Sequence, residues 1–172
     1  MTPTFTPFTQ AEFLAAIDVL AAELTADGWA PHLLVGVGRG GLVPAVFLSH
    51  ATAMPMVSID FSTSIPEFNA ALIQALAART RTGERLVFIE DINDSGRTIV
   101  AIREQMSAAG AVEGNTRFAV LLDNLVSAAK VDHRFRTIDR TTQKDWFVFP
   151  WEAVAPRDSL LGDAAEVPTR IA

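Results

Sequence analysis

The sequence predicts an α/β protein: a parallel sheet with helices on both faces. Three observations point there. Short apolar runs alternate along the chain with segments whose apolar residues recur at helical spacing, the order that produces strand–helix–strand units. Two of the runs, LVFI at 86–89 and FAVLL at 118–122, are apolar without interruption, as strands covered on both faces are. The most unusual turns, VGVGRGG at 35–41 and VFIEDINDSGRT at 87–98, both stand where such a strand gives way to a helix.

The elements follow in order. Thr9-Gln10-Ala11-Glu12 has capping-box spacing, with Thr9 as N-cap and Glu12 reaching back. Behind it Phe13, Ile17, Leu20 and Leu24 recur at helical spacing with Leu14 and Ala21 beside them, and Asp27-Gly28 ends that helix. Leu33 to Val37 is a short apolar strand. Gly38 to Gly41 is a Gly-rich turn, and LVPAVFLSHA is a helix that tolerates Pro44 in its first turn. Met56 to Asp60 is a second strand, and Pro66 to Arg79 a helix with Phe68, Leu72, Ile73 and Leu76 along one stripe. Leu86 to Ile89 is a third strand, Gly96 to Ala109 a helix closed by Gly110, and Thr116 to Leu122 a fourth strand. The last third is less regular and carries a final apolar stretch, Trp146 to Trp151. There is no internal repeat and no low-complexity tract.

A chain of 172 residues fits one domain, 1–172, with a substantial core, and a composition 49% hydrophobic and 20% charged is that of a globular protein. The net charge of −6 argues against a general nucleic-acid binder, which is usually basic. The chain has no Cys, so disulfides and thiolate metal sites are excluded. No apolar run reaches the roughly 18 residues that span a bilayer, and MTPTFTPFTQ has neither the basic nor the apolar region of a signal peptide. A cytoplasmic protein without a membrane partner is the expectation.

In parallel sheets ligands bind beyond the carboxyl ends of the strands, where both unusual turns sit. Asp94-Ser95-Gly96-Arg97-Thr98 reads as a loop leading into a helix. Helix starts expose unpaired N–H groups and a partial positive charge. Small residues admit an anion to them, and Ser95 and Thr98 add hydroxyls, so the loop suits a phosphate. An ordinary turn capped by Asp94 or Ser95 is the alternative. No Gly-Lys-Ser/Thr follows, so it is not a Walker loop. The adjacent acids Glu90 and Asp91 repel each other and a phosphate, and require sugar hydroxyls, Mg²⁺ or a basic side chain to satisfy them. Salt bridges to Arg97 or Arg103 are the plain solution. A cis-diol beside a phosphate cradle would be a ribose 5-phosphate. Among the three histidines, His32 and His50 read as structural and His133 lies on a polar stretch; no Ser-His-Asp spacing or histidine metal cluster is present.

VFIEDINDSGRTI, with Leu86 before it, resembles the phosphoribosyl-diphosphate signature of the type I phosphoribosyltransferases: four apolar residues from Leu86, two acids, two variable positions, then an acid and a small-residue turn ending in Thr. VGVGRGGLVPA resembles the diphosphate loop of the same family, and its Gly-Gly-Leu-Val-Pro is close to the xanthine–guanine and hypoxanthine members. DWFVFPWE, Asp145 to Glu152, resembles their purine-binding segment. The three motifs stand in the family's order and span Val35 to Glu152.

The resemblance implies the family's parallel-sheet fold with a small C-terminal hood, roughly 123–172. It also implies transfer of the 5-phosphoribosyl group from phosphoribosyl diphosphate to a purine base, with Mg²⁺, in purine salvage. By analogy Glu90 and Asp91 bind the ribose hydroxyls and help place Mg²⁺. Asp94, with Ser95, Gly96, Arg97 and Thr98, forms the 5-phosphate loop, and Asp94 faces the purine N7 as general base or acid. Val37, Gly38, Arg39 and Gly40 hold the diphosphate, with a non-proline cis peptide expected near Val37–Arg39. Trp146 stacks on the purine, Phe147 offers its backbone to the ring edge, and Ile92 lines the base site. A homodimer or larger assembly is also implied.

Two positions depart from the pattern. The Lys that reads the purine oxygen falls on Asn124, which can donate or accept, so a 6-oxo preference no longer follows; Lys130 substitutes only if the chain folds back. Between the second and third strands related enzymes have a mobile lid, and Ser62, Thr63 and Ser64 are the candidates here. Arg79, Arg81 and Arg85 read as a solvated basic edge. Three functional readings stand: a purine transferase, a non-catalytic module that senses phosphoribosyl diphosphate, and a transferase for another base. No basic helix-turn-helix supports a repressor, and DWFVFPWE argues against a pyrimidine.

Overall fold

A computed structural model describes residues 3–26, 28–61 and 66–165. The first helix, α1 (Gln10–Ala26), begins at the predicted capping box: the Thr9 N–H donates to Glu12 Oε2 at 2.8 Å and the Glu12 N–H to Thr9 Oγ1 at 3.2 Å. Ahead of it lies a strand that the sequence did not signal, β1 (Phe5–Pro7). Strand β2 (Leu33–Val37) passes directly into helix α2 (Gly38–Thr52). Then come β3 (Met56–Ile59), α3 (Pro66–Arg81), β4 (Leu86–Asn93), α4 (Arg97–Ala108), β5 (Thr116–Asn124), β6 (His133–Ile138), β7 (Trp146–Val148) and α5 (Arg157–Ala165). Ser62, Thr63 and Ser64 lie outside the described residues.

Strands β3-β2-β4-β5-β6 form a five-stranded sheet, parallel throughout. The pleat sends alternate residues to opposite faces. Leu34, Val87, Ile89 and Leu121 pack with Phe13, Leu20 and Leu24 of α1 and Leu48 of α2. Leu33, Val35, Leu86, Phe88 and Phe118 pack with Ile73 and Leu76 of α3 and Ile99, Ile102 and Met106 of α4. A second, two-stranded sheet pairs β1 with β7 in parallel, placing Phe5 opposite Trp146. The N-terminal segment therefore holds the C-terminal aromatic segment over the sheet. Among the described residues no helix is long and apolar enough to cross a membrane.

Three local expectations are corrected. Strand β4 does not stop at Ile89; pairing with β5 continues through Glu90↔Val120 and Ile92↔Leu122 to Asn93↔Asp123, so both acids belong to the strand. The glycine turn is the first turn of α2, which moves Pro44 to its second turn and leaves the Gly40 carbonyl without its usual i+4 donor. No peptide bond among the described residues is cis, and the chain turns at Gly38 through a left-handed φ of +56°.

Candidate active site

Because β4 stays pleated past Ile89, its two acids point to opposite faces. Glu90 turns toward α4, where it accepts a hydrogen bond from the Thr98 side chain. Asp91 turns toward α2, so close that a Cβ on Gly40 would lie 2.2 Å from its Oδ2. Gly41 is tighter still, since a Cβ there would lie 2.0 Å from the Ile89 carbonyl oxygen. These two glycines let the start of α2 rest on the end of β4. Gly96, in the left-handed region at φ +86°, turns the chain into α4 against the Ala129 backbone.

Neither α2 nor α4 has a side-chain hydrogen bond at its N-cap residue, Val37 or Gly96. Both helix starts turn the positive end of a dipole and first-turn N–H groups to the same space, although in α4 the Arg97 N–H already donates to Ser95 Oγ at 3.4 Å. That space is a cavity of about 1050 Å³ beyond the carboxyl ends of β2 and β4. It is lined by Val37, Gly38, Arg39 and Gly40 from one helix start, by Ser95, Gly96, Arg97 and Thr98 from the other, and by Glu90, Asp91, Ile92 and Asp94 between them. Trp146 and Phe147 line it together with the aromatic residues Phe61, Phe149 and Trp151.

The carboxylates between the helix starts are strongly perturbed. Burial, and then the neighbouring Asp91, push the Glu90 carboxyl up to about 8. Burial, and then Glu152, push Asp91 up to about 7, against the pull of the Ile92 N–H at 2.8 Å. Glu152 is raised in turn, chiefly by burial and also by Asp163, while the Phe149 N–H and Arg39 pull it back. Arg103, one of the two arginines expected to pair with these acids, instead donates to the Lys130 carbonyl at 2.7 Å and lies over Phe118. Raised carboxyls in a cleft mark a place where a ligand is to supply the missing charge or donors.

Of the residues assigned to the sugar, phosphate, diphosphate and base, all line this cavity except Asn124. Asn124 is 2% exposed. Its Nδ2 donates to the Asp94 carbonyl at 2.8 Å and its Oδ1 accepts from the Arg140 N–H at 3.1 Å. Its amide is turned to backbone and it does not line the cavity, so the expectation that it reads a base is corrected. Lys130 contacts the Leu125 carbonyl at 3.5 Å and does not reach the cavity. Exposed Arg79 pairs with half-buried Glu84, and exposed Arg81 caps the carbonyls of Ala109 and Gly110, so these two arginines are surface structure.

The sequence missed Arg140. This residue, 2% exposed, makes a two-pronged pair with Asp94: Nε donates to Oδ1 at 2.8 Å and Nη2 to Oδ2 at 3.3 Å. Its Nη1 donates to the carbonyls of Asp145 and Gln143. Arg140 stands in an irregular segment, with no periodicity or motif to single it out.

The model of the phosphoribosyl transferase domain matches residues 8–155, most of the chain. The chain belongs to the phosphoribosyl transferase domain family. Among solved structures this phosphoribosyltransferase is similar to the purine phosphoribosyltransferase of Pyrococcus horikoshii, with 25% identity, a TM-score of 0.65, and 88% of this chain and 97% of that chain covered. The Helicobacter pylori xanthine-guanine-hypoxanthine phosphoribosyltransferase matches with 20% identity, a TM-score of 0.64, and 87% and 94% covered. A Neisseria gonorrhoeae hypothetical protein with bound ppGpp matches with 14% identity, a TM-score of 0.66, and 98% of each chain covered. The last two share the fold. The parallel five-stranded sheet is that of the type I phosphoribosyltransferases.

Proposed function

We propose that this phosphoribosyltransferase transfers the 5-phosphoribosyl group of phosphoribosyl diphosphate to a purine base, releasing diphosphate, in cytoplasmic purine salvage. The observation that carries the reading is the raised Glu90–Asp91 pair set between two helix starts. A diol with an anion on either side suits such a place. The α4 start, Ser95 to Thr98, takes the 5-phosphate, and the α2 start, Gly38 to Gly40 with Arg39, takes the diphosphate. Trp146 stacks on the purine, Phe147 offers its backbone, and Ile92 lines the base site. The segment from Asp123 onward acts as the hood of a single transferase domain.

Among the described residues no cluster of three or more potential ligands is present, and a pair of carboxylates suits Mg²⁺, which keeps several waters and takes its other ligands from substrate phosphates. Bound with the diphosphate, it would neutralise charge on the leaving group. The protein's own part is chiefly positioning. Negative charge grows on the departing diphosphate beside the positive end of α2, while positive charge grows on the sugar beside Glu90 and Asp91. Asp94 retains acceptor capacity beyond its two bonds to Arg140 and accepts the proton of the base.

Diphosphate release measured with a panel of purines tests this reading. Asp94→Asn is expected to lower the rate by about 100- to 10,000-fold. If no purine gives release above the blank, the purine transferase reading is removed. A second reading, ligand sensing without transfer, draws on the pairing of Asp94 with an internal arginine; binding of phosphoribosyl diphosphate with no release under any base would establish it. We also propose a homodimer, since Leu42, Val46 and Phe47 leave an exposed apolar strip on α2. Gel filtration is expected to give about twice the chain mass of 18.6 kDa, and elution as a monomer would contradict it.

A further inference from the structure

Resting on the purine reading, we propose that Arg140 is the specificity-determining residue of the base site, supplying from the β6–β7 connection the cation that position 124 lacks. Asn124 does not line the cavity, and its amide is turned to backbone partners at both ends. Arg140 is the buried cation on the wall of the cavity, beside Asp94, Trp146 and Phe147. A guanidinium has five N–H groups. Two go to Asp94 and one each to the carbonyls of Asp145 and Gln143, which leaves one on Nη2 without an acceptor among the described residues. A buried donor of this kind favours a ligand acceptor and disfavours a ligand donor.

The pairing also defines what Asp94 offers. Held by both oxygens, it presents acceptor sites in a fixed plane. The base edge that fits the pair carries a carbonyl for Arg140 and an N–H for Asp94, which is the pattern of a 6-oxopurine. A 6-aminopurine sets a donor against a donor. Arg140 positions as well as reads: one arm holds Asp94 at the end of β4, and the other holds the Asp145 carbonyl immediately before Trp146. The guanidinium lies over the Phe147 ring, 5.3 Å from its centroid. Thr6 Oγ1 bonds Asp145 Oδ2 at 2.8 Å from the other side, so the stacking wall is fixed from both directions.

Arg140→Met and Arg140→Lys test the assignment. In Arg140→Met the KM for hypoxanthine or guanine is expected to rise and kcat/KM to fall by about 10- to 100-fold, because a hydrogen-bonding site discriminates strongly. The preference over adenine is expected to collapse, with the KM for phosphoribosyl diphosphate little changed. Arg140→Lys restores the charge but not the fork, and is expected to recover part of the preference. Purine binding in the presence of ribose 5-phosphate, followed by quenching of tryptophan fluorescence, gives a readout independent of turnover. Should Arg140→Met fail to fold, Arg140→Lys decides alone: an unchanged base affinity and preference overturns the assignment. Wild-type activity with an unchanged Arg140→Met overturns it while leaving the purine reading intact. No purine bound or turned over by the wild type overturns both.

Discussion

Replacing Glu90 with Gln and Asp91 with Asn is expected to raise the melting temperature at pH 8 while reducing transfer at least about 100-fold. In the folded chain the two carboxyls are pushed up to about 8 and about 7, from ordinary values of 4.5 and 3.8. Below about pH 4 both groups are protonated folded and unfolded, and they favour neither state. As pH rises, the unfolded chain releases protons that the folded chain keeps, so stability falls from about pH 4 and is lost through pH 7 to 8. Discounting for relaxation and water entry, the loss is about 2–4 kcal/mol. For a chain of this size that is roughly 5–10 °C in Tm. Thermal melts at pH 5 and pH 8 check it. The wild type is expected to lose Tm on going to pH 8, and the double variant to lose little. Equal slopes in the two proteins would mean that the pair is already compensated within the fold. The same linkage makes binding of magnesium and phosphoribosyl diphosphate tighten as pH rises through 7, because cation ligation needs the ionised acids.

Gly41→Ala and Gly40→Ala are expected to fail in different ways. The added Cβ of Gly41→Ala meets the Ile89 carbonyl oxygen at 2.0 Å, the Ile89 carbonyl carbon at 2.9 Å and the Glu90 Cα at 3.1 Å. All three are backbone of a central strand and cannot yield, so α2 must lift from β4 at a cost of about 3 kcal/mol. At Gly40 the obstacle is the Asp91 side chain, which can swing away. Gly40→Ala is therefore expected to lose less than about 1 kcal/mol of stability. Its kcat/KM for phosphoribosyl diphosphate is expected to fall about 100-fold, because both the α2 start and Asp91 are misplaced. Denaturant melts beside steady-state kinetics separate the two. A Gly40→Ala protein with wild-type kinetics would show that the close approach of helix and strand plays no part in binding.

The sequence by itself determined the sheet, its covering helices and most of the cavity wall. Continuous apolar runs and helical stripes are local signals, and the motifs of both helix starts are contiguous, so pattern and chemistry coincide in a few residues. It did not carry β4 past Ile89, because Glu90 and Asp91 look like the end of a strand unless their pairing with β5 is known. It did not mark β1, whose three residues become a strand only by meeting β7. Asn124 and Arg140 make the same point at the base site. By motif Asn124 stood in the reading position and Arg140 stood nowhere. Only the tertiary structure, by bringing the β5 end, the loop before α4 and the β6–β7 connection together, decided which polar group is consumed by backbone and which faces the cavity. Hydrogen-bond satisfaction between segments distant in the chain has no local signature, and for that reason the choice belongs to the fold.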